Sequence, residues 1–444
     1  MRKDSNFSSF NGTKGLQFLE TGAFIDENGE NKRHISMKLS VISAKRKEFT
    51  IIFRTFAGHL QADNTHNATQ TEDMKKNTSI MKKYLLSIGL SLIMASMCLE
   101  TSAQEFGQYF EDATLRLDYI FAGNNNSQAI YLDRMKTFKG WYGRRINMDT
   151  LPLQGNGTIT VTDITGSDTV YMHSFSTLFQ EWQSTEEATR VVRSFENSFL
   201  IPMPKEEVQV TVELKNMHNA TKSYLKHTIN PADILICKHA EKETLPYRYL
   251  HKSGDSKEKI DIVFIPEGYR TDEMEQFNKD CMESMESIFR HKPFDRLKDR
   301  FNFIAVEVPS EHSGVSVPKN NEWKSTAVGS HFDTFYSGRY LTTSNIKKLY
   351  DILDGIPCES TLILANTDEY GGGGIYNNYM LSASRGPGYK SVIVHEFGHS
   401  FAGLADEYFY DDQYVTMYPA GIEPWEQNLT TLTDFGCKWK DMLP

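Results

Sequence analysis

His399 follows His395 by four positions in the run Val392-Ile-Val-His-Glu-Phe-Gly-His-Ser-Phe-Ala-Gly-Leu-Ala-Asp-Glu-Tyr408. Positions i and i+4 of an α-helix lie about 40° apart around its axis, so a helix here turns both imidazoles toward one ion. H-E-x-x-H is the pattern in which zinc hydrolases use that spacing. Glu396 leaves the same turn beside the axis, where it can reach a water on the ion without displacing it. A catalytic zinc keeps three protein ligands and one open position, so the chain must also deliver a third ligand.

The residues around the motif say where to look for it. Val392, Ile393 and Val394 lead in as an apolar run suited to burial. Gly403 offers a left-handed residue that can end the helix and turn the chain back. Just beyond stand two carboxylates, Asp406 and Glu407. The expected metal set is Zn2+ held by His395, His399 and Asp406, with Glu407 as the substitute third ligand and Glu396 as the catalytic base. The arrangement resembles the metzincin plan, in which a Gly turn delivers the third ligand. It departs from H-E-x-x-H-x-x-G-x-x-H by having no third His and by placing Gly403 and Asp406 one residue late. The competing view, an inert surface helix with two histidines, leaves the apolar approach and the acids past the turn unexplained.

The neighbourhood as a whole resembles the IgA peptidase family of bacterial zinc metallopeptidases, M64. The matching residues are His395 to Tyr408, Ile260-Asp-Ile-Val-Phe-Ile-Pro-Glu-Gly-Tyr269, Phe332-Asp-Thr-Phe335 and Tyr370-Gly-Gly-Gly-Gly-Ile-Tyr376. The resemblance is firm from Asp261 to Tyr408 and looser before it, where some members carry an N-terminal module. It implies a secreted zinc endopeptidase that cleaves protein or peptide substrates by a Glu-activated water on zinc. It does not imply that IgA is the substrate. Tyr408 is a candidate donor to the oxyanion, by position alone.

Composition bounds the rest. The chain has 444 residues, 39% hydrophobic and 24% charged, enough for two domains with real cores. A net charge of -10 argues against a nucleic-acid partner, which needs a basic face.

Residues 1–80 are largely polar and read as a disordered, non-native extension, with translation starting at Met81. Residues 81–103 have the form of a secretory signal: two Lys after the Met, an apolar core too short to span a membrane, then small residues ending at Ala103. The expected mature chain starts at Gln104 and is secreted, periplasmic or at the cell surface, without a stable membrane span. The rival view is a buried apolar helix. Cys237, Cys281, Cys358 and Cys437 match no zinc knuckle, and their spacing does not pair them.

Residues 104–238 read as a β-sandwich. Thr114 to Tyr119, Gly157 to Thr162 and Val208 to Glu213 alternate at period two between turn clusters, and Trp182 and Phe195 are core candidates. Nothing in this stretch resembles an active site. Residues 239–259 turn charged and read as a linker. Residues 260–444 read as an α/β (α+β), metzincin-like catalytic domain, truncated at its C-terminus. Its expected elements are strands at 260–265, 301–308 and 361–365, a helix capped by Asp272 and Glu275, and a helix over 343–353. Gly371 to Gly374 is either a border of the substrate cleft or a flexible turn. His312 and His331 read as surface residues. Met417 and Met442 are poor candidates for a methionine turn under the metal. The alternative function is a surface protein whose β domain binds glycan or matrix above a vestigial metal site. Oligomeric state is not legible.

Overall fold

The computed structural model describes residues 106–216, 218–239, 243–407, 418–419 and 421–443. The segments read as an extension (1–80) and a signal (81–103) lie outside the described residues, as do Tyr408 and Met417. Tyr109–Pro444 belong to one compact unit, and of the other unit, Asn31–Gln108, the last three residues are described. No helix among the described residues is long and apolar enough to cross a membrane.

The first half is β-rich. Its strands are β1 (Phe110–Gly123), β2 (Gln128–Lys139), β3 (Gly157–Asp163), β4 (Thr169–Phe175), β5 (Arg193–Pro204), β6 (Val208–Lys215), β7 (Thr221–Ile229) and β8 (Cys237–Lys238). They form two four-stranded sheets, ordered β5-β1-β2-β8 and β4-β3-β6-β7. The alternation in β6 buries Val208, Val210, Val212 and Leu214 and leaves the residues between them half-exposed. Leu115, Leu117, Tyr119 and Phe121 of β1 are buried by the same rule. The sheets meet through Phe175 against Phe199, ring centroids 4.2 Å apart, and through Tyr119 Oη bonded to His227 Nε2 at 2.8 Å. Between β4 and β5 a short helix, α1 (Leu178–Trp182), seats Trp182 in the core beside Phe195.

The opposite face of β1 is buried as well, and it is charged. Arg116 and Asp118, fully enclosed, pair at 2.7 Å. Arg116 also reaches Asp351 at 2.8 Å and Asp354 at 3.1 Å, and Lys136 of β2 joins Asp351 at 2.6 Å. Both aspartates sit at the end of a helix in the second half, α3 below. Enclosed charges are tolerated because each has an opposite partner. Period two thus turns one side of β1 to the sandwich core and the other to the second half of the chain.

The second half is mixed α/β. Its elements are β9 (Tyr247–His251), β10 (Ile260–Glu267), α2 (Met274–Arg290), β11 (Phe301–Val306), α3 (Ile346–Leu353), β12 (Ser360–Ala365), β13 (Gly372–Ile375), β14 (Tyr379–Ala383) and α4 (Tyr389–Ala402). The sheet order is β13-β14-β12-β10-β11-β9, with four parallel central strands and an antiparallel strand at each edge. Every residue from Asp261 to Glu267 of β10 is buried, as in a sheet covered on both faces. Ile262, Phe264, Phe303, Leu362 and Met380 pack against Phe277 and Cys281 of α2 and Ile393, Val394 and Phe397 of α4.

At this level the chain is what the sequence suggests, a β-rich part followed by a mixed α/β part. Four local details differ. Residues 239–259 are more than a linker, because β9 pairs with β11 as an edge strand, where one exposed side permits polar residues. The capping box sits on the 3-10 turn Thr271–Glu273 that leads into α2 and uses Arg270 and Glu273, whose carboxylate accepts the Arg270 N–H at 2.9 Å, rather than Asp272 and Glu275. Helix α3 starts at Ile346 and not Thr343, whose hydroxyl is bonded to the Val328 carbonyl at 2.6 Å. Residues 372–375 form an edge strand rather than a flexible turn.

Candidate metal centre

Helix α4 carries the H-E-x-x-H motif over β13 and β14. It stops at Gly403, which adopts φ 62° and ψ 37° and donates its N–H to the His399 carbonyl at 3.0 Å. That left-handed residue costs little only for glycine. It sends Leu404 to Asp406 back along the helix face that presents the histidines.

His395, His399 and Asp406 come together as a result. The two Nε2 atoms lie 3.0 Å apart, and Asp406 Oδ1 is 3.1 Å from that of His395 and 3.2 Å from that of His399. Zinc bonds of 2.0–2.1 Å in a tetrahedron place ligand atoms about 3.3 Å apart, so the donor triangle fits a zinc ion. His399 Nδ1 lies 2.5 Å from the Leu404 carbonyl, to which it donates. That bond holds the Nδ1 proton and turns Nε2 toward the other two donors, where its lone pair serves a cation that displaces the Nε2 proton. Glu407 points away and accepts from Asn428 at 3.1 Å, so Asp406 is the carboxylate that the turn delivers.

The electrostatics match a site built for a cation. Burial works against charge on His399, but the hydrogen bond to Asp406 and the nearby Glu396 outweigh it and raise the imidazole to about 9. Burial likewise opposes ionisation of Asp406, and the two histidines overcome it, holding the carboxyl far below the usual range. Glu396 is buried, and that burial raises its carboxyl above the usual range despite the histidines beside it.

Three further residues support the centre, two of them in the glycine run that the sequence marks as a possible cleft border and one, Asn428, without a sequence signal. Gly372 and Gly374 of β13 lie directly under α4: a Cβ on Gly372 would meet Glu396 Oε1 at 2.9 Å, and one on Gly374 would meet the Glu396 carbonyl oxygen at 2.5 Å. The glycine run therefore lets the motif helix lie on the sheet edge. Asn428 grips the chain beside Asp406, accepting from Ala405 N–H at 3.0 Å and donating to its carbonyl at 2.8 Å.

Glu181, on α1 of the β-rich half, also reaches the neighbourhood, although nothing in that half reads as site-like in sequence. It accepts the Tyr340 hydroxyl. Burial pushes its carboxyl up to about 7; the Tyr340 bond and His399 work against the rise, and Glu396 and Asp406 add to it. Of the remaining candidates, His312 accepts from Ser325 N–H at 2.8 Å and His331 bonds the Phe332 carbonyl at 2.6 Å, and neither joins the centre. Cys281 is core, and the four described cysteines are unpaired.

Residues 249–444 match the family model described as IgA Peptidase M64, and residues 105–226 match that of the Peptidase M64 N-terminus. No curated protein matches the chain. With both modules matched in order, and a histidine-histidine-aspartate centre inside the second, the chain belongs to the M64 family of metallopeptidases.

Proposed function

We propose that the protein is a secreted zinc endopeptidase in which Glu396 is the general base and His395, His399 and Asp406 hold the metal. The observation that carries this reading is three donor atoms converging within 3.2 Å beside a buried carboxylate outside the triad. Zinc at such a site supplies a Lewis acid that lowers the pKa of water toward about 7 and polarises a peptide carbonyl. Glu396 takes the proton from the attacking water and hands it to the departing amine. Its buried setting favours the protonated form between those two transfers. The Leu404 carbonyl keeps His399 oriented throughout. Protein or peptide is the substrate class.

A metzincin-like plan for the α/β part is supported by the order of helix, left-handed glycine and third ligand, although that ligand is an aspartate. Export through residues 81–103 is part of the proposal, and sequencing the N-terminus of protein recovered outside the cell tests it. A start other than Gln104 would argue against that signal. The glycan- or matrix-binding alternative predicts a metal site without turnover, and no observation favours it.

The deciding experiment measures zinc per chain together with chelator-sensitive cleavage of an unfolded protein mixture, in the full chain and in Glu396→Ala. The proposal expects one zinc in both and cleavage only in the former. Retained cleavage in Glu396→Ala would remove that residue from the chemistry, and an absence of zinc in both would overturn the reading.

A further inference from the structure

β13 is the edge of the α/β sheet, and its outer side meets residues 339–341. The backbone bonds that make this contact are long: Leu341 N to the Gly372 carbonyl at 3.4 Å and Gly372 N to the Arg339 carbonyl at 3.3 Å. They carry little energy. Yet Gly372 is the residue directly under Glu396. The stretch leading into this contact is strained, because Asp333, Phe335 and Tyr336 take φ values of 59°, 52° and 65°. Non-glycine residues in that region cost on the order of 1–3 kcal/mol each and persist only where the surroundings impose them.

Part of that restraint is local. Thr334 and Thr342 share a 2.7 Å hydroxyl bond, and Lys319 N donates to Asp333 at 2.9 Å. The rest comes from the β-rich half. The Tyr340 hydroxyl donates to Glu181. The Tyr340 ring also lies against β13, where a Cβ on Gly373 would meet its Cε2 at 2.7 Å. The support under Glu181 is itself fixed. Trp182 is fully buried with Nε1 on Glu187 at 2.7 Å, Ser176 N donates to the Tyr376 carbonyl at 3.0 Å, and Asn377 donates to the Ser174 carbonyl at 2.8 Å.

We propose that Glu181 is a positioning residue of the metal centre: through Tyr340 it clasps the strained segment 333–341 against β13 and so fixes the floor under Glu396. The N-terminal module is then a working part of the catalytic cleft rather than a separate appendage. The effect on turnover rests on the peptidase reading above, whereas the clasp does not.

The test uses the full chain with Glu181→Ala, Glu181→Gln, Tyr340→Phe and the Glu181→Ala/Tyr340→Phe double variant. In metal-free protein, hydrogen exchange of residues 333–341 rises about tenfold in Glu181→Ala and Tyr340→Phe, with the rest of the chain unchanged. Glu181→Gln keeps an acceptor oxygen and stays near wild type. In zinc-loaded protein, kcat per bound zinc falls about tenfold in each single disruption, with KM little changed, and the double variant is no worse than either. Unchanged exchange overturns the clasp. Faster exchange with unchanged kcat, or losses that add, overturns the positioning role. If wild type cleaves nothing, the peptidase reading fails and exchange alone decides the clasp. If Glu181→Ala does not fold, Tyr340→Phe and Glu181→Gln carry the same comparison.

Discussion

Gly372 lies under Glu396 so closely that a single methyl group on it would come within 2.9 Å of the carboxylate Oε1. The nearest atom is the tip of a side chain and can yield, and the next two, Glu396 Cγ and Val392 Cγ1 at 3.0 Å, need to give by only about a few tenths of an ångström. Gly372→Ala is therefore expected to fold and bind zinc while displacing Glu396, and a misplacement of about 1 Å costs up to about 100-fold in rate. Gly374→Ala meets backbone at 2.5 Å, which cannot yield. That variant should lose about 1–3 kcal/mol of stability and zinc with it. Thermal melts and zinc content on the two proteins distinguish these outcomes; equal behaviour would show that β13 does not support the helix.

The two neighbouring acids past the helix are expected to behave differently. Asp406→Ala removes a donor that sits 3.1 and 3.2 Å from the imidazoles and should abolish tight zinc binding. Glu407→Ala loses only its 3.1 Å bond from Asn428 and should keep zinc within about threefold, as surface changes of a few tenths of a kcal/mol do. Competition with a chelator of known affinity reads both. A reversed order would transfer the ligand role to Glu407.

Asn428 bonds none of His395, His399 and Asp406 but holds Ala405 through both ends of its amide. Loss of a group that orients a ligand typically costs 10–100-fold in metal affinity, so Asn428→Ala should fall in about that range. Asn428→Asp restores the acceptor for Ala405 N–H but not the donor, and should land between the two. Wild-type affinity in Asn428→Ala would show that the turn needs no outside support.

Asp261, in β10, provides a pH test away from the metal. Burial pushes its carboxyl up to about 6, although the Asn302 amide donates to it at 2.8 Å. The folded state therefore holds a proton that the unfolded chain, with an ordinary aspartate near 3.9, has already released. Between about pH 4 and pH 6 the folded form binds more protons, so this residue's contribution to stability declines as pH rises. Asp261→Asn should flatten that decline, raising the melting temperature relative to wild type at pH 7–8 and not at pH 4. An identical pH dependence in the two proteins would mean that Asp261 titrates normally.

What the sequence determined by itself is what short-range periodicity and local stereochemistry control. The 395–399 spacing turns two imidazoles to one helix face, and Gly403 turns the chain because only glycine takes that left-handed φ cheaply. Alternation gives the strands that contain Thr114 to Tyr119 and Val208 to Glu213, and a largely apolar run gives β10. The sequence narrowed the third ligand to Asp406 and Glu407 but kept both, since one dihedral beyond the turn decides which carboxylate faces inward. Tertiary structure alone decided that Gly372 is a floor for Glu396, that Asn428 holds the turn, and that Glu181 reaches Tyr340 from the other half of the chain. It also made Arg116 and Asp118 an interface, although their place on a polar strand face suggests solvent. The physical reason is common to all of these: a contact between segments remote in sequence is set by which strands pair and which faces pack, and no local pattern of residues records it.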